Sequence, residues 1–142
     1  MRLALLLPSL TLASLVCYAQ SPVAGTSPGN EHGAPQDTVK DIDPSQLLAM
    51  LRTPNLYIYD CNEEDMFKEA HVPGAKLTVY DEVTAATLPT DLNAAVVFYC
   101  YSPECPAAAT AARTAITLGH TNVYSMPAGI TGWQDAGLRT EP

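Results

Sequence analysis

Apolar and polar residues follow two alternating periods along most of this chain. Four short runs rich in apolar, aromatic and β-branched residues predict strands: 56–59, 76–80, 94–99 and 122–126. Four segments with apolar residues at helical spacing fall beside and between them: 43–51, 63–70, 106–118 and 130–136. Strands that alternate with helices predict an α/β fold, with a mostly parallel sheet covered by helices on both faces.

Capping residues mark the ends of two of these helices. Asp43 is a typical N-cap and Pro44 suits a first turn, while Pro106 opens the third helix and Gly119 ends it. In parallel sheets, ligand sites lie at the carboxyl ends of the strands. Three such ends carry candidate residues: Asp60-Cys61, Cys100 and Met126-Pro127.

The first residues have the layout of a secretory signal peptide. Arg2 provides a short positive start, 3–16 is an apolar run too short and broken for a membrane span, and small residues precede a cut after Ala19. A lipoprotein cut before Cys17 is the alternative, but Val16 is a poor residue for that processing. We therefore predict a signal peptide at 1–19, a flexible leader rich in Pro, Gly and Ser at 20–37, and a folded domain at 38–142.

Signal cleavage predicts a periplasmic or secreted protein with no stable membrane insertion. The cut removes Arg2 and no acidic residue, so the formal charge moves from −8 to −9. Nucleic acids and anionic membranes require clustered Lys and Arg for binding, and the sequence holds no such cluster. We expect neither as a partner.

Three cysteines remain after that cut: Cys61, Cys100 and Cys105. Disulfides persist outside the cytosol, and an odd number of cysteines leaves at least one thiol unpaired in a monomer. A metal site is not expected, because no second close pair of Cys or His accompanies Cys100 and Cys105. The sequence also implies no organic cofactor.

Cys100 is the strongest candidate for chemistry. It directly follows the strand at 94–99, and a helix begins six residues later. If the loop between them curls back, the backbone N–H groups from Tyr101 to Cys105 and the helix N-terminus would lower the thiol pKa and cradle a persulfide or an oxyanion. The alternative is that Cys100 is only a small buried residue.

Three blocks of the sequence resemble the rhodanese-like family. Asp60, followed by His71-Val72-Pro73-Gly74-Ala75, resembles its aspartate and Gly-His-Ile-Pro-Gly-Ala turn, and Val96-Val97-Phe98-Tyr99-Cys100 resembles the strand before its catalytic cysteine. The segments Ala128-Gly129-Ile130, Trp133 and Ala136-Gly137-Leu138 resemble its closing pattern. The resemblance implies a five-stranded α/β sheet and a Cys100 that accepts sulfane sulfur as a persulfide and passes it to a thiophilic acceptor. We assign supporting roles to Asp60, His71 and Trp133.

The loop after Cys100 departs from the family pattern. Members that use thiosulfate commonly carry arginines there, whereas Tyr101 and Cys105 occupy those positions here and Glu104 adds a negative charge. A thiosulfate dianion would meet backbone donors without a guanidinium, so these departures argue against thiosulfate as the sulfur donor. Phosphatase-like members need an arginine six residues after the cysteine, where this chain has Pro106. That activity is not expected.

Cys105 leaves three alternatives open. It resolves a persulfide or sulfenate on Cys100 by closing a disulfide, it forms a permanent bridge with Cys100, or both thiols stay free. The candidate substrate-binding residues lie between the two cysteines: Tyr101, Ser102, Pro103 and Glu104. Cys61 is expected to pack at the end of its strand, with a third position in a sulfur relay as its functional alternative.

The sequence therefore supports two functional hypotheses. The first is an exported sulfur-transfer or thiol-redox protein, a candidate rhodanese-type sulfurtransferase. It would use Cys100 as nucleophile and Cys105 as resolving thiol, and its partner would be a small sulfur donor, a thiol acceptor or a protein thiol. The second is a non-catalytic rhodanese-fold module that binds a protein partner, with Cys100 and Cys105 locked in a structural disulfide. A reactive Cys100 thiol of low pKa would separate the first from the second.

Overall fold

The computed structural model describes residues 38–142, which is the predicted folded domain. The predicted signal peptide, the leader and the alternative cut at Cys17 lie outside the described residues. Nine elements follow one another along the described chain: β1 (Lys40–Asp41), α1 (Pro44–Met50), β2 (Leu56–Asp60), α2 (Glu64–Glu69), β3 (Lys76–Leu77), β4 (Ala95–Tyr99), α3 (Ala107–Thr117), β5 (Val123–Met126) and α4 (Gly129–Asp135). Over this range, no helix is both long and apolar enough to cross a membrane.

The five strands form a single sheet in the order β1-β5-β4-β2-β3, and every strand pairing is parallel. The longest pairing joins β2 to β4, in register from Leu56 opposite Ala95 to Asp60 opposite Tyr99. Strand β4 is the centre of the sheet and is buried along its whole length. The predicted five-stranded α/β fold is therefore confirmed.

Helices cover both faces of the sheet, because each strand presents alternate side chains to opposite sides. On one face, α3 packs against Val96 and Phe98 through five buried alanines: Ala107, Ala108, Ala111, Ala112 and Ala115. On the other face, Val97 and Tyr99 pack with side chains from α1 and α4, among them Leu47 and Trp133. Cys61 and Cys100 belong to the α3 face of the sheet.

The helix and strand ends follow the sequence pattern with small differences. Asp43 caps α1: its side chain accepts a hydrogen bond from the Gln46 N–H at 2.8 Å, and the Gln46 side chain accepts one from the Asp43 N–H at 2.8 Å. Pro106 is the N-cap of α3 and not its first helical residue. Strand β3 ends at Leu77, three residues earlier than predicted, because its partner β2 ends at Asp60.

Candidate functional site

The loop after β4 emerges at the carboxyl edge of the sheet. Cys100 directly follows the last residue of β4 and is buried, and the loop from Tyr101 to Pro106 connects it to α3. The three strand ends that carry candidate residues meet there, since Cys61, Cys100 and Met126 all border the space around this loop. This is the edge at which parallel α/β folds hold their ligands.

A disulfide joins Cys100 to Cys105 across the loop, with 6.2 Å between the two Cα atoms. Cys61 is the free cysteine among residues 38–142, and its side chain is buried. The bridge excludes two free thiols as the state of this structure. A resolving pair and a permanent bridge both have this geometry.

The loop is held in shape by its own polar groups. The Cys105 N–H donates to the Ser102 carbonyl at 3.0 Å, and the Ser102 hydroxyl donates to Glu104 Oε2 at 2.6 Å. The bond from the Ser102 hydroxyl, and then a bond from the backbone N–H of Glu104 itself, hold the Glu104 pKa below its ordinary value. The Glu104 carboxylate thus accepts hydrogen bonds from the Ser102 hydroxyl and its own N–H, two groups of the loop that was predicted to bind a substrate anion.

In the disulfide-bonded loop, three of the five positions of the predicted cradle from Tyr101 to Cys105 have no free N–H group. Pro103 has no N–H, and the N–H groups of Glu104 and Cys105 donate within the loop. Pro106 also lacks an N–H, so the nearest N–H of α3 belongs to Ala107. Only Tyr101 and Ser102 keep an N–H that donates to no described residue.

The disulfide separates two clefts, and both of its cysteines line each of them. The first cleft, of about 270 Å³, is also lined by Asp41 and Glu104. The second, of about 460 Å³, is also lined by Met66, Tyr80 and Tyr101. Neither lining includes a Lys, Arg or His side chain. The clefts therefore suit neutral or weakly charged sulfur compounds better than a dianion.

The beginning of the loop is fixed by α4. The Ile130 N–H donates to the Cys100 carbonyl at 2.9 Å, and the Thr131 N–H and hydroxyl donate to the Tyr101 carbonyl at 3.1 and 3.0 Å. Gly129 has φ +65°, and a Cβ there would collide with the Tyr101 carbonyl and lie 2.7 Å from the Ser102 nitrogen. Sequence reasoning recognised the Ala-Gly-Ile pattern but did not predict that it clamps this loop.

A buried polar cluster supports the same edge on the opposite face of the sheet. The Tyr99 hydroxyl donates to Asp60 Oδ2 at 2.5 Å and accepts from the Val72 N–H at 3.0 Å, while Asp60 Oδ1 accepts from the Asn62 N–H at 2.8 Å. Burial raises the pKa of Asp60, against the lowering effect of its bonds to Tyr99 and Asn62. Burial also raises the pKa of Tyr99. Sequence reasoning named Asp60 but missed its partner Tyr99.

His71 and Trp133 line neither cleft at the disulfide. The His71 ring stacks on Phe67 with 3.9 Å between the ring centroids, and its Nδ1 lies 2.9 Å from the Phe67 carbonyl oxygen. Trp133 is fully buried, and its Nε1 donates to the Arg139 carbonyl at 2.9 Å. Both side chains hold chain segments in place at a distance from the sulfur atoms. Over the described range, no three His, Cys, Asp or Glu side chains are arranged to hold a metal ion.

The described domain matches known proteins over most of its length. The profile of the rhodanese-like domain family matches residues 43–136. The chain is 24% identical over 97 residues to the thiosulfate sulfurtransferase GlpE of Pseudoalteromonas translucida, which covers 68% of this chain and 90% of that protein.

Two solved structures have a similar fold. One is a thiosulfate sulfurtransferase from Pseudomonas aeruginosa, with 27% identity and a TM-score of 0.64 over 73% of this chain and 19% of that chain. The other is a protein from Bacillus halodurans, with 21% identity and a TM-score of 0.64 over 72% of this chain and 76% of that chain.

Proposed function

The chain belongs to the rhodanese-like domain family, and from that premise we propose that it moves sulfane sulfur through a thiol–disulfide cycle at Cys100 and Cys105. Cys100 is the nucleophile and Cys105 is the resolving thiol. The observation that carries the proposal is the disulfide between these two residues at the carboxyl end of β4. Sulfurtransferases among the similar proteins support sulfur as the transferred atom.

The first step loads sulfur onto Cys100. The Cys100 thiolate attacks the outer sulfur of an organic persulfide, R–S–SH. A bond forms between that sulfur and Cys100 Sγ, the S–S bond of the donor breaks, and the electron pair leaves with RS⁻. The donor class is a persulfide or short polysulfide, because Asp41 and Glu104 line the first cleft together with the two cysteines and neither cleft is lined by a cationic side chain.

The second step releases the sulfur as sulfide. The Cys105 thiolate attacks Cys100 Sγ, the disulfide forms, and the terminal sulfur leaves as HS⁻. A dithiol then reduces the disulfide and returns both cysteines to thiols, so its two electrons end on the released sulfide. The 6.2 Å between the Cα atoms of the closed bridge lies within the range of about 4.4–6.8 Å that disulfides span.

The partners in this cycle are a small sulfur donor and a thiol reductant, either small or on a protein. We place the cycle outside the cytosol, in the periplasm or the secreted fraction. Two observations support that location: residues 1–19 have the layout of a signal peptide, and disulfides persist in oxidising compartments.

The proposal is tested by mixing reduced protein with an organic persulfide and following intact mass and released sulfide. Wild type should release one sulfide per chain and lose two hydrogens. Cys61→Ala/Cys105→Ser should instead retain one added sulfur, because no thiol remains to resolve the persulfide, and Cys100→Ser should do neither. A Cys61→Ala/Cys105→Ser chain that stays folded and gains no sulfur would contradict the proposal.

A second candidate function is a non-catalytic protein-binding module with a structural disulfide. The observation that favours it is Glu104, whose exposed carboxylate accepts the Ser102 hydroxyl and adds a negative charge to the loop where a substrate anion would bind. Equilibration with a dithiol of known potential separates the two functions. A structural disulfide in this class of protein lies below about −300 mV, whereas a redox-active pair lies above that value.

A further inference from the structure

Three cysteines converge on the second cleft. Cys61, Cys100 and Cys105 all line it, and the Cys100 sulfur lies 3.9 Å from the Cys61 carbonyl oxygen. The proposed sulfur cycle uses only two of them. The third, Cys61, is buried but faces the same space as the disulfide.

Strand register makes Cys61 and Cys100 neighbours. Strands β2 and β4 pair in parallel up to Asp60 opposite Tyr99, and the Cys61 N–H continues the ladder by donating to the Tyr99 carbonyl at 2.8 Å. Cys61 and Cys100 are therefore the next pair. Neighbouring parallel strands lie about 4.8 Å apart with paired side chains on one face, and a disulfide spans Cα separations of about 4.4–6.8 Å.

We infer that Cys61 is an alternative disulfide partner of Cys100, so that the bridge exchanges between two positions in the folded protein. The Cys61 thiolate attacks Cys100 Sγ and forms a Cys61–Cys100 bond. The Cys100–Cys105 bond breaks, and its electron pair leaves with Cys105, which then takes up a proton. The number of disulfides and thiols is unchanged, so the step consumes no oxidant and no reductant.

Exchange moves the free thiol from the interior to the loop. Cys61 is 8% exposed, whereas Cys105 is half-buried on the loop between the two clefts. In the exchanged form, Cys100 is held by a bridge between two strands and cannot accept sulfur, while Cys105 faces the exterior as a thiol. The inference goes beyond the proposed function, since it requires neither a sulfur donor nor a reductant.

The surroundings of Cys61 make the exchange depend on pH. Burial, and then the charge of Asp60, raise the pKa of the Cys61 thiol to about 12. The other titratable groups near it are also acidic: Glu63, Tyr80 and Tyr101 line its cleft, and Tyr99 lies on the opposite face of the sheet. Because only the thiolate attacks a disulfide, the exchange rate should rise about tenfold for each pH unit between neutral pH and that pKa.

The direct test treats the oxidised full chain with iodoacetamide at a series of pH values without denaturant, and then maps peptides without reduction. We expect an alkylated Cys105 together with a Cys61–Cys100 cross-link, appearing faster at higher pH. An unexchanged Cys100–Cys105 bridge, with Cys61 alkylated or untouched, overturns the inference. Cys17 lies in a separate peptide and does not confuse the assignment.

A second test removes the competing thiol. The Cys105→Ser chain is reduced, confirmed as folded by its circular dichroism, and then offered oxidised glutathione, which forms a mixed disulfide on Cys100. Cys61 should displace the glutathione and leave a Cys61–Cys100 bridge. The matched Cys61→Ala/Cys105→Ser chain should keep the glutathione. Retention of glutathione on Cys100 in both chains overturns the inference, and because no sulfur donor is used, it leaves the proposed sulfur cycle untouched.

Discussion

Where strands β2 and β4 end, two consecutive residue pairs face opposite sides of the sheet. Asp60 and Tyr99 form the first pair, and their side chains share a hydrogen bond of 2.5 Å. Cys61 and Cys100 form the second pair, one residue further on, and their side chains belong to the α3 face. The same backbone register therefore places a carboxylate beside a phenol on one side and two sulfur atoms on the other.

The two pairs differ in how firmly they are fixed. Asp60 and Tyr99 are fully buried and also bond to the backbone at Asn62 and Val72, so each polar atom of the pair is satisfied. Cys61 and Cys100, in contrast, border an open cleft. Cys100 is also joined to the loop by its disulfide with Cys105, a bond that thiols can exchange. One strand end therefore supplies both a rigid support and a reactive surface, because successive side chains point in opposite directions.

The largest effect is expected from Tyr99→Phe, which breaks the rigid pair. Loss of the hydroxyl leaves Asp60 Oδ2 and the Val72 N–H without their partner in the interior, and such orphaned groups should cost about 3 kcal/mol of unfolding free energy. Urea unfolding of the disulfide-bonded protein measures this loss. Tyr57→Phe is the matched control on β2, since the Tyr57 side chain is half-buried and its hydroxyl bonds to no described residue.

The same variant sharpens the contrast between the two faces. Folded Tyr99→Phe should still close the Cys100–Cys105 bridge and release sulfide from a persulfide, because its hydroxyl touches neither sulfur. Equal free energies of unfolding for Tyr99→Phe and Tyr57→Phe would show that the hydrogen bonds of the Asp60–Tyr99 pair do not stabilise the fold. Loss of sulfur chemistry in a folded Tyr99→Phe chain would show that the two faces do not act separately.

The pattern of apolar and polar residues was enough to predict the α/β architecture and the position of the loop after β4. Long apolar runs such as the one at 94–99 are local signals, and they predicted β4 and the Cys100 strand end. The two-residue strand β1 carries no comparable signal, because its place in the sheet comes from pairing with β5, whereas the run at 76–80 predicted β3 but not its early end opposite the end of β2. Strand β1 was not predicted at all.

The inner arrangement of the site depends on contacts that no local pattern shows. The pairing of Cys61 with Cys100 follows from the register of β2 on β4, and register is a tertiary property. The folding of Glu104 back onto Ser102 depends on loop geometry. The absence of an N–H at Pro103 was visible in the sequence, and the predicted cradle should have excluded it.

The next effect is a change in pH dependence on replacing Asp60 by Asn. Burial raises the pKa of Asp60 in the folded protein above the value of about 3.9 of an unfolded chain. Such a group contributes stability that is fully present below the unfolded pKa and lost as pH rises through the folded pKa. Wild type should therefore lose stability relative to Asp60→Asn as pH rises from acid towards neutral.

Urea unfolding of both proteins at several pH values measures this difference. Exposed carboxylates with lowered pKa act in the opposite direction, but they are common to both proteins and cancel in the comparison: Asp43, Glu64 and Glu104. A stability difference that stays constant with pH would mean that Asp60 ionises in the interior as readily as in water. Burial of the Asp60 carboxyl group would then make no contribution to the pH dependence of stability.

The smallest effect concerns the charge on the reactive face. Glu104→Gln removes a carboxylate that lines the first cleft beside Cys100 and Cys105 and that accepts the Ser102 hydroxyl. Thiosulfate is a dianion, so the reduced variant should react with it about fivefold faster than wild type, while its rate with an uncharged dialkyl polysulfide should hardly change. Added salt should shrink the difference, because the site is open to solvent.

Glu82→Gln is the matched control for this change, because Glu82 is exposed and lines neither cleft. It alters the net charge by the same amount, so an equal acceleration in both variants would assign the effect to the overall field of the protein. Acceleration in Glu104→Gln alone would assign donor preference to the loop itself. The reactive face would then be specified by one side chain between the two cysteines, while the polar pair on the opposite face stays as it is.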